Sequence, residues 1–514
     1  MLELSMKKLQ ILILDFGGQY TQLIARRIRE CGVYCEIFPY NLNVEEIKKI
    51  GPNGIVLSGG PASVYEKNAP VIKKEILKLN IPVLGICYGM QLIVKIMGGN
   101  VLKARAREYG LKNLKILRKS KLLGGIKNNS SVWMSHQDRV ESVPQNFVIT
   151  AKTENSPAAV IESKYIYGVQ FHPEVTHTEE GTQIFKNFLY NIAKCRRDWS
   201  PAKMIHQIIQ QTKEKVKNKK VVCAVSGGVD STIMALLLYK AIGKNFKGIF
   251  INNGLLRKNE EKEVLHNLRD KLKIPVKYVN ASNLFLQRLK GITSPEKKRK
   301  IIGDTFVEVF FKNFPEIEFL AQGTLYPDVI ESTSVVGPSA KIKTHHNRVK
   351  KILSLMKQGR IIEPFRFLFK DEVRKIGKKM GVPDEIIWRM PFPGPGLAVR
   401  ILGEITPVRL KILREADAIV REEIKKNTDI RKIWQAFAVL LPVKSVGIMG
   451  DIRTYRNVVA VRIVESTDGM TADWVKLNPN ILQKISNRII NEVDGINRVV
   501  YDISSKPPST IEWE

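Results

Sequence analysis

Residues 82–97 read PVLGICYGMQLIVKIM, and this stretch decides how the first half of the chain is built. The apolar run at 82–86 suits a buried strand, and MQLIVKIM suits a helix. Between them Gly85 and Gly89 flank Ile86-Cys87-Tyr88. Small residues around a nucleophile permit a sharp strand-to-helix turn, which presents the side chain at the C-terminal edge of a parallel sheet. The positive end of the helix then favours a thiolate. A cysteine alone in an apolar run is more often structural, but GVQFHPEV at 168–175 supplies a second element. His172 can take the thiol proton. Glu174, two positions on, lies on the same side of an extended segment and can orient the imidazole.

Working outward, LQILILD (9–15) and GIVLS (54–58) read as further buried strands, with QYTQLIARRIREC (19–31) at helical spacing between them. Such alternation indicates a parallel sheet with crossover helices. DWSPA at 198–202 breaks the pattern, and a second series follows: strand 220–226, helix 230–242, strand 247–252, helix 258–272. PFPGPG at 391–396 cannot continue a helix and marks a linker or a rigid turn. Beyond it come an amphipathic helix at 407–426, strand-like runs at 437–443 and 457–464, and a helix around 480–493. The expected architecture is α/β: two parallel-sheet domains, 8–197 and 198–390, followed by an α+β domain, 391–514.

The second series opens on VVCAVSGGVDST (221–232), a strand followed by Ser226, Gly227, Gly228, Val229, Asp230, Ser231 and Thr232 at a helix start. Glycines let backbone N–H groups approach phosphate oxygens, and the helix N-terminus favours the anion. Asp230 can hold Mg²⁺. No lysine follows the second glycine, so this is not a Walker A loop.

The cysteine elbow and HPE resemble the class I glutamine amidotransferases over about residues 9–195. The resemblance implies that Cys87 attacks the glutamine carboxamide, that His172 is base and then acid, and that Glu174 holds His172. It further implies that the SGGP loop at 58–61 supplies Gly60, with Tyr88, as backbone donors to the oxyanion. Gln91 and SHQD (135–138) match positions touching glutamine, although relatives often carry Gly where this chain has Gln137. SGGVDS is similar to the ATP pyrophosphatases, which cleave ATP between its α and β phosphates.

Nearly the whole chain is similar to the GMP synthetases, through DFGGQYTQLIARRIRE (15–30), VQFHPEVTHT (169–178), KRKIIGDTF (298–306), QGTLYPDVIES (322–332), KTHHN (343–347), LFKDEVRKIG (368–377), RMPFPGPGLAVRILGE (389–404) and SKPPSTIEWE (505–514). That family converts xanthosine 5′-monophosphate (XMP) to GMP with ATP, Mg²⁺ and glutamine-derived ammonia, through an adenylyl-XMP intermediate. The resemblance implies an adenine nucleotide α-hydrolase-like second domain and a C-terminal domain that binds XMP and forms a homodimer. Residue by residue, it assigns Asp328 and Glu331, with Asp230, to metal and ATP. Lys343, Lys370 and Asp371 fall to segments closing over the triphosphate, and Arg299, Gln435, Lys506, Ile511 and Glu512 to XMP. RVKKILSLMKQGR (348–360) replaces a VGGLP segment of some relatives and reads as helical. Ile452 stands where many relatives have Gly.

Bulk properties agree with a multidomain enzyme. The 514 residues suit roughly three to four units, with 44% apolar and 26% charged residues and no run of about 20 apolar residues that could span a bilayer. The five scattered cysteines contain no CxxC pair, which speaks against a zinc site or disulfide framework and for a reducing cytoplasm. The net charge of +33 reads as a lysine-rich bias spread over the surface (KNKK 217–220, KKRK 297–300, KIK 341–343), with no obligate nucleic-acid or membrane partner. Two rivals fit less well. An ATP pyrophosphatase that modifies tRNA usually needs catalytic cysteines in or near the second domain, where only Cys195 and Cys223 lie. Intact Cys87, His172, Glu174 and SGGVDS argue against a non-catalytic nucleic-acid-binding protein on a degenerate fold.

Overall fold

The computed structural model describes residues 8–333, 350–466, 469 and 471–514. The chain forms two compact units, 1–207 with 325–347 and 208–324 with 348–514. Lys343 and KTHHN lie outside the described residues, as does the side chain of Glu331.

The first unit is built on a nine-stranded sheet. Five parallel strands run in the order Cys35–Pro39, Ile11–Asp15, Gly54–Leu57, Val83–Ile86 and Ile166–Val169. ILIL, GIVL and VLGI are buried on both faces, as strands covered by crossover helices must be. Helix Val44–Ile50 shows why the crossovers start and stop where they do. Asn43 and Glu46 close a capping box, and Gly51 ends the helix at φ +59°. The sheet continues antiparallel through Val160–Glu162, Val148–Lys152, Asn100–Ile116 and Ser130–Ser142. Periodicity alone had not located this half.

The second unit holds a five-stranded parallel sheet ordered Val276–Asn280, Phe246–Asn252, Val221–Ala224, Phe319–Ala321, Ile361–Ile362. The helix expected over 258–272 divides into Glu260–Leu265 and a π-helical His266–Lys271. Lys350–Lys357 is helical, as read for the 348–360 segment. A second sheet pairs Gln435–Met449 with Ile452–Glu465 antiparallel, and Ile496–Tyr501 lies parallel to the latter. PFPGPG is a rigid turn: Gly396 sits at φ +65°, an added Cβ would lie 2.5 Å from the Leu255 carbonyl oxygen, and Leu397 N–H donates to that oxygen at 2.8 Å. One apolar core runs from Val222 and Ile249 through Leu413 to Leu440 and Ile489.

The surface reading of the basic runs is corrected at Lys298. This residue of KKRK is fully buried, its ammonium on the Ala398 and Ile401 carbonyls (3.2 and 2.7 Å) and on Glu514 (2.5 Å). Arg400 and Arg462 are also fully buried. A buried cation persists only with such partners.

The most deeply buried charge cluster surrounds Asp417, which has no exposed surface. Arg421 donates to it at 2.9 Å, Arg400 lies 3.7 Å away and Arg257 4.0 Å. Burial alone would raise its carboxyl, but these three guanidiniums outweigh burial and hold it below the usual carboxylate range. A depressed folded-state value contributes stability above the unfolded value of about 4, and that contribution is lost as pH falls toward the folded value. Asp417→Ala should therefore cost about 3–5 kcal/mol in denaturant unfolding by leaving buried guanidiniums uncompensated. The deficit should begin to shrink in titrations below about pH 4, where the unfolded chain's carboxyl takes up its proton while the folded one stays ionised, and vanish only as pH passes the lower folded-state value.

Candidate functional site

In the first unit the turn read from the sequence is present. Cys87 sits between strand Val83–Ile86 and helix Tyr88–Ile96 at φ +51°, a conformation L-residues rarely adopt. Its neighbours leave no alternative to glycine. A Cβ on Gly89 would lie 2.4 Å from the Leu57 oxygen, and one on Gly85 would lie 2.7 Å from Gly89 C and Met90 N. Cys87 N–H donates to Val169 O at 2.8 Å, which places the cysteine beside the strand leading to His172. A methyl on Gly59 would come within 3.2 Å of His172 Cε1 and 3.8 Å of Cys87 Cβ. The SGGP loop, Cys87 and His172 thus border one small space.

His172 Nδ1 is 2.7 Å from Glu174 Oε1, and both side chains are buried. Burial lowers the proton affinity of His172, but the Glu174 charge and the Cys87 sulfur outweigh it and leave the imidazole well above its usual range. Tyr20, from the DFGGQYTQ segment, packs edge-on against the ring at 5.0 Å. Tyr88 is the first residue of its helix, so its N–H has no intrahelical acceptor. The Gly60 backbone packs on Phe16, whose N–H is held by Ser58 Oγ at 3.0 Å. By contrast, burial pushes the Cys195 and Cys223 thiols up to about 12.

Gln91 lies buried inside the helix, its amide donating to Asp138 O at 2.7 Å and to Gln170 Oε1 at 3.3 Å. Asp138 in turn accepts from Ser63 Oγ at 2.5 Å. Gln170 was not singled out from the sequence, yet its amide nitrogen lies 3.7 Å from Cys87 Sγ.

In the second unit Val225–Gly228 joins strand Val221–Ala224 to helix Val229–Ile242, which begins with Val229, Asp230 and Ser231. Gly227 is at φ +76°, and a Cβ there would strike Val264 Cγ2 at 2.5 Å. Ser226 Oγ and Ser231 Oγ are 3.1 Å apart, and Gly228 N–H donates to Ser226 Oγ at 3.3 Å. Helix Lys370–Lys379 packs closely on helix Val229–Ile242, since a Cβ on Gly377 would lie 2.4 Å from Ile233 Cδ1. This brings Lys370 Nζ to 3.8 Å from Asp230 Oδ2. Burial lowers the proton affinity of Lys370, with Asp230 opposing. Asp371, next to it, pairs with Lys375 at 3.4 Å. Sequence reasoning missed Arg389, which donates to Gly227 O at 2.9 Å and pairs with Glu260. Its signal was present in RMPFPGPG, but only the fold shows what it touches. Asp328 accepts from Leu325 N–H at 3.1 Å, in a segment that groups with the first unit.

The residues expected at XMP have separate partners. Gln435 donates to Pro391 O at 3.0 Å, while its buried Oε1 has no hydrogen-bond partner among the described residues. Lys506 Nζ donates to Gly469 O at 2.8 Å. Ile511 packs with Phe437 and Val439. Glu512 accepts a two-pronged bond from Arg400 (3.0 and 2.8 Å). Arg299 pairs with Glu296 at 3.2 Å, one residue beyond Lys298 and its Glu514 contact.

The cysteine elbow with its His–Glu pair in one unit and the glycine-loop nucleotide fold in the other define a chain that carries a glutamine amidotransferase and an ATP-pyrophosphatase-type unit. Family profiles agree: class-I glutamine amidotransferase matches residues 12–192, NAD synthase 202–301 and GMP synthase C terminal domain 422–513. A glutamine-hydrolysing GMP synthase of Brachyspira hyodysenteriae is 57% identical, covering 98% of this chain and 99% of that protein. Those of Aquifex aeolicus and Caldanaerobacter subterraneus are 55% and 54% identical, each covering 99% of this chain and 100% of the relative. The chain belongs to the glutamine-hydrolysing GMP synthases, ligases of purine nucleotide biosynthesis.

Because the Glu174 charge is the main cause that keeps His172 protonated, Glu174→Gln should lower its titration midpoint by about one unit or more. NMR of histidine-labelled protein would measure this, and an unmoved midpoint would contradict the pairing.

Proposed function

We propose how this chain's own residues divide the reaction. The amidotransferase segment, 8–197, releases ammonia. Cys87 sulfur bonds to the glutamine carboxamide carbon, and the oxyanion is received by the N–H groups of Gly60 and Tyr88. His172 passes its proton to the departing nitrogen, the C–N bond breaks, and a glutamyl thioester remains for water to hydrolyse. The observation that carries this reading is the 2.7 Å His172–Glu174 bond beside a cysteine at φ +51°. Gln91 contributes by holding the SHQD strand.

In 198–390, the C2 oxygen of XMP attacks the α-phosphorus of ATP, and pyrophosphate leaves toward Ser226–Thr232. Ammonia then attacks C2 of adenylyl-XMP, and AMP departs. A glycine loop at a helix start suits the pyrophosphate. Lys370 and Asp371 close over the triphosphate, Lys370 as a point charge 3.8 Å from Asp230.

Among the described residues no group of three or more acidic, His or Cys side chains is arranged to hold a metal. Mg²⁺ commonly uses one or two carboxylates plus substrate phosphates, and the Asp230 carboxylate at the loop fits that mode. Bound there, it would neutralise charge on the transferring phosphates. In 391–514, Gln435, Lys506, Ile511 and Glu512, with Arg299, receive XMP. The unpartnered Gln435 Oε1 supports this. The same segment forms a homodimer, a reading supported by the exposed apolar hairpin of Ile448, Ile452 and Tyr455. No helix among the described residues is long and apolar enough to cross a membrane, and a cytoplasmic location suits the free cysteines.

Cys87→Ala should abolish glutamine-dependent GMP formation while added ammonium still supports it. Loss of both in a folded protein would defeat the division of labour. Arg389→Ala should raise KM for ATP about tenfold or more by releasing the Gly227 carbonyl, in steady-state assays driven by ammonium.

A further inference from the structure

Gln170 is fully buried in the strand-to-loop segment between Val169 and His172, and nothing in the mechanism above uses it. Its amide orientation follows from its surroundings. Asp138 O is an acceptor only, so the Gln91 group 2.7 Å from it is the amide nitrogen. That nitrogen also faces one end of the Gln170 amide at 3.3 Å, which must therefore be Oε1. The remaining end, Nε2, then lies 3.7 Å from Cys87 Sγ with an N–H to give. The second donor to Asp138 O is His136 Nδ1 at 2.9 Å, and His136 Nε2 lies 3.1 Å from Glu108 Oε2. Glu108 is itself anchored by Thr153 Oγ1 (2.9 Å) and Ser156 Oγ (2.6 Å). A continuous buried polar chain therefore runs from Glu108 to the sulfur. Apart from the sulfur, the Gln170 amide is held by Gln91, which is itself fixed on Asp138 O.

We propose that Gln170 is a positioning residue of the glutaminase centre: its side-chain N–H holds the Cys87 sulfur, as thiolate, toward the space shared with His172 and Gly59. The proposal rests on the nucleophile reading of Cys87. The groups that face the sulfur divide the work. His172, backed by Glu174, exchanges the proton with it, and the Ser135 carbonyl lies at 3.8 Å. A sulfur anion is soft and mobile, and an amide donor that cannot rotate supplies both a charge-assisted bond and a direction. Gln170 carries no titratable proton, so it can hold the anion without competing for the proton that His172 must deliver to ammonia. The titratable groups behind it, Asp138, His136 and Glu108, act only by keeping the amide fixed.

The test uses the full-length enzyme with Gln170→Met, which keeps length and removes the donor, and Gln170→Glu, which keeps shape and places an acceptor against the sulfur. The pH profile of iodoacetamide alkylation at Cys87, followed by peptide mass spectrometry, should move upward by about one unit in Gln170→Met and further in Gln170→Glu. Glutaminase kcat should fall about tenfold with KM for glutamine within about twofold, because the donor acts on the nucleophile and not on substrate. Ammonium-driven GMP formation, which does not use Cys87, reports that each variant is folded. A purely structural role for Gln170 would lower the melting temperature without moving the alkylation profile, and that result would overturn the proposal. Wild-type kcat in both folded variants would overturn it as well. If complete alkylation of Cys87 left glutaminase activity intact, the nucleophile reading itself would fall, and this outcome is separable because it appears in the wild-type enzyme.

Discussion

Both candidate centres depend on one constraint: a parallel strand must turn into a helix at the sheet's C-terminal edge, over one residue (Cys87) in the first unit and four (Val225–Gly228) in the second. At Cys87 that turn forces a non-glycine residue to φ +51°, which costs about 1–3 kcal/mol unless its surroundings over-determine it. They do. The Cys87 N–H is held by Val169, Gly89 is pressed on Leu57, and Gly85 on the start of the helix. The same turn in the second unit places Gly227 against Val264 and aims the helix start at whatever occupies the loop. Helix N-termini carry unsatisfied N–H groups and partial positive charge, so each turn suits a developing anion: an oxyanion and thiolate in one case, pyrophosphate in the other.

The cations of this chain are not only a solvated coat. Lys298, Arg400 and Arg462 are buried and tie the last dozen residues to the second unit. Arg462 donates to Ser504 O at 2.5 Å and lies 3.3 Å from Asp502 Oδ1. Arg400 grips Glu512 and stacks over Phe437 at 3.9 Å, and Lys298 meets Glu514. Arg400 also faces Asp417, which lies on the helix Pro407–Asn427 and is 4.0 Å from Arg257. Breaking one partner would strand the others, because an uncompensated buried charge costs several kcal/mol. The tail that carries the family's last motif is held by this network and by Ile511 in its apolar pocket.

What the sequence by itself determined are features dictated by neighbours in the chain. Buried strands were legible because ILIL and GIVL are uniformly apolar. The elbow was legible because only glycine tolerates positions 85 and 89, and the helices at 407–426 and 480–493 were legible from their periodicity. Observed spans Pro407–Asn427 and Pro479–Glu492 differ by a residue or so. The His172–Glu174 pair was readable from its two-residue spacing, although Pro173 and Glu174 lie in a turn and not in the extended segment expected. Tertiary structure alone decided which distant groups face one another. Gln170 reaches Cys87 across 83 positions, Arg389 reaches Gly227 across 162, and Glu512 reaches Arg400 across 112. No local preference encodes such contacts, because each side chain could serve equally well on the surface. Only when sheets and helices close around a common core does burial remove water as an alternative partner and leave these pairs as the remaining way to satisfy their polar groups.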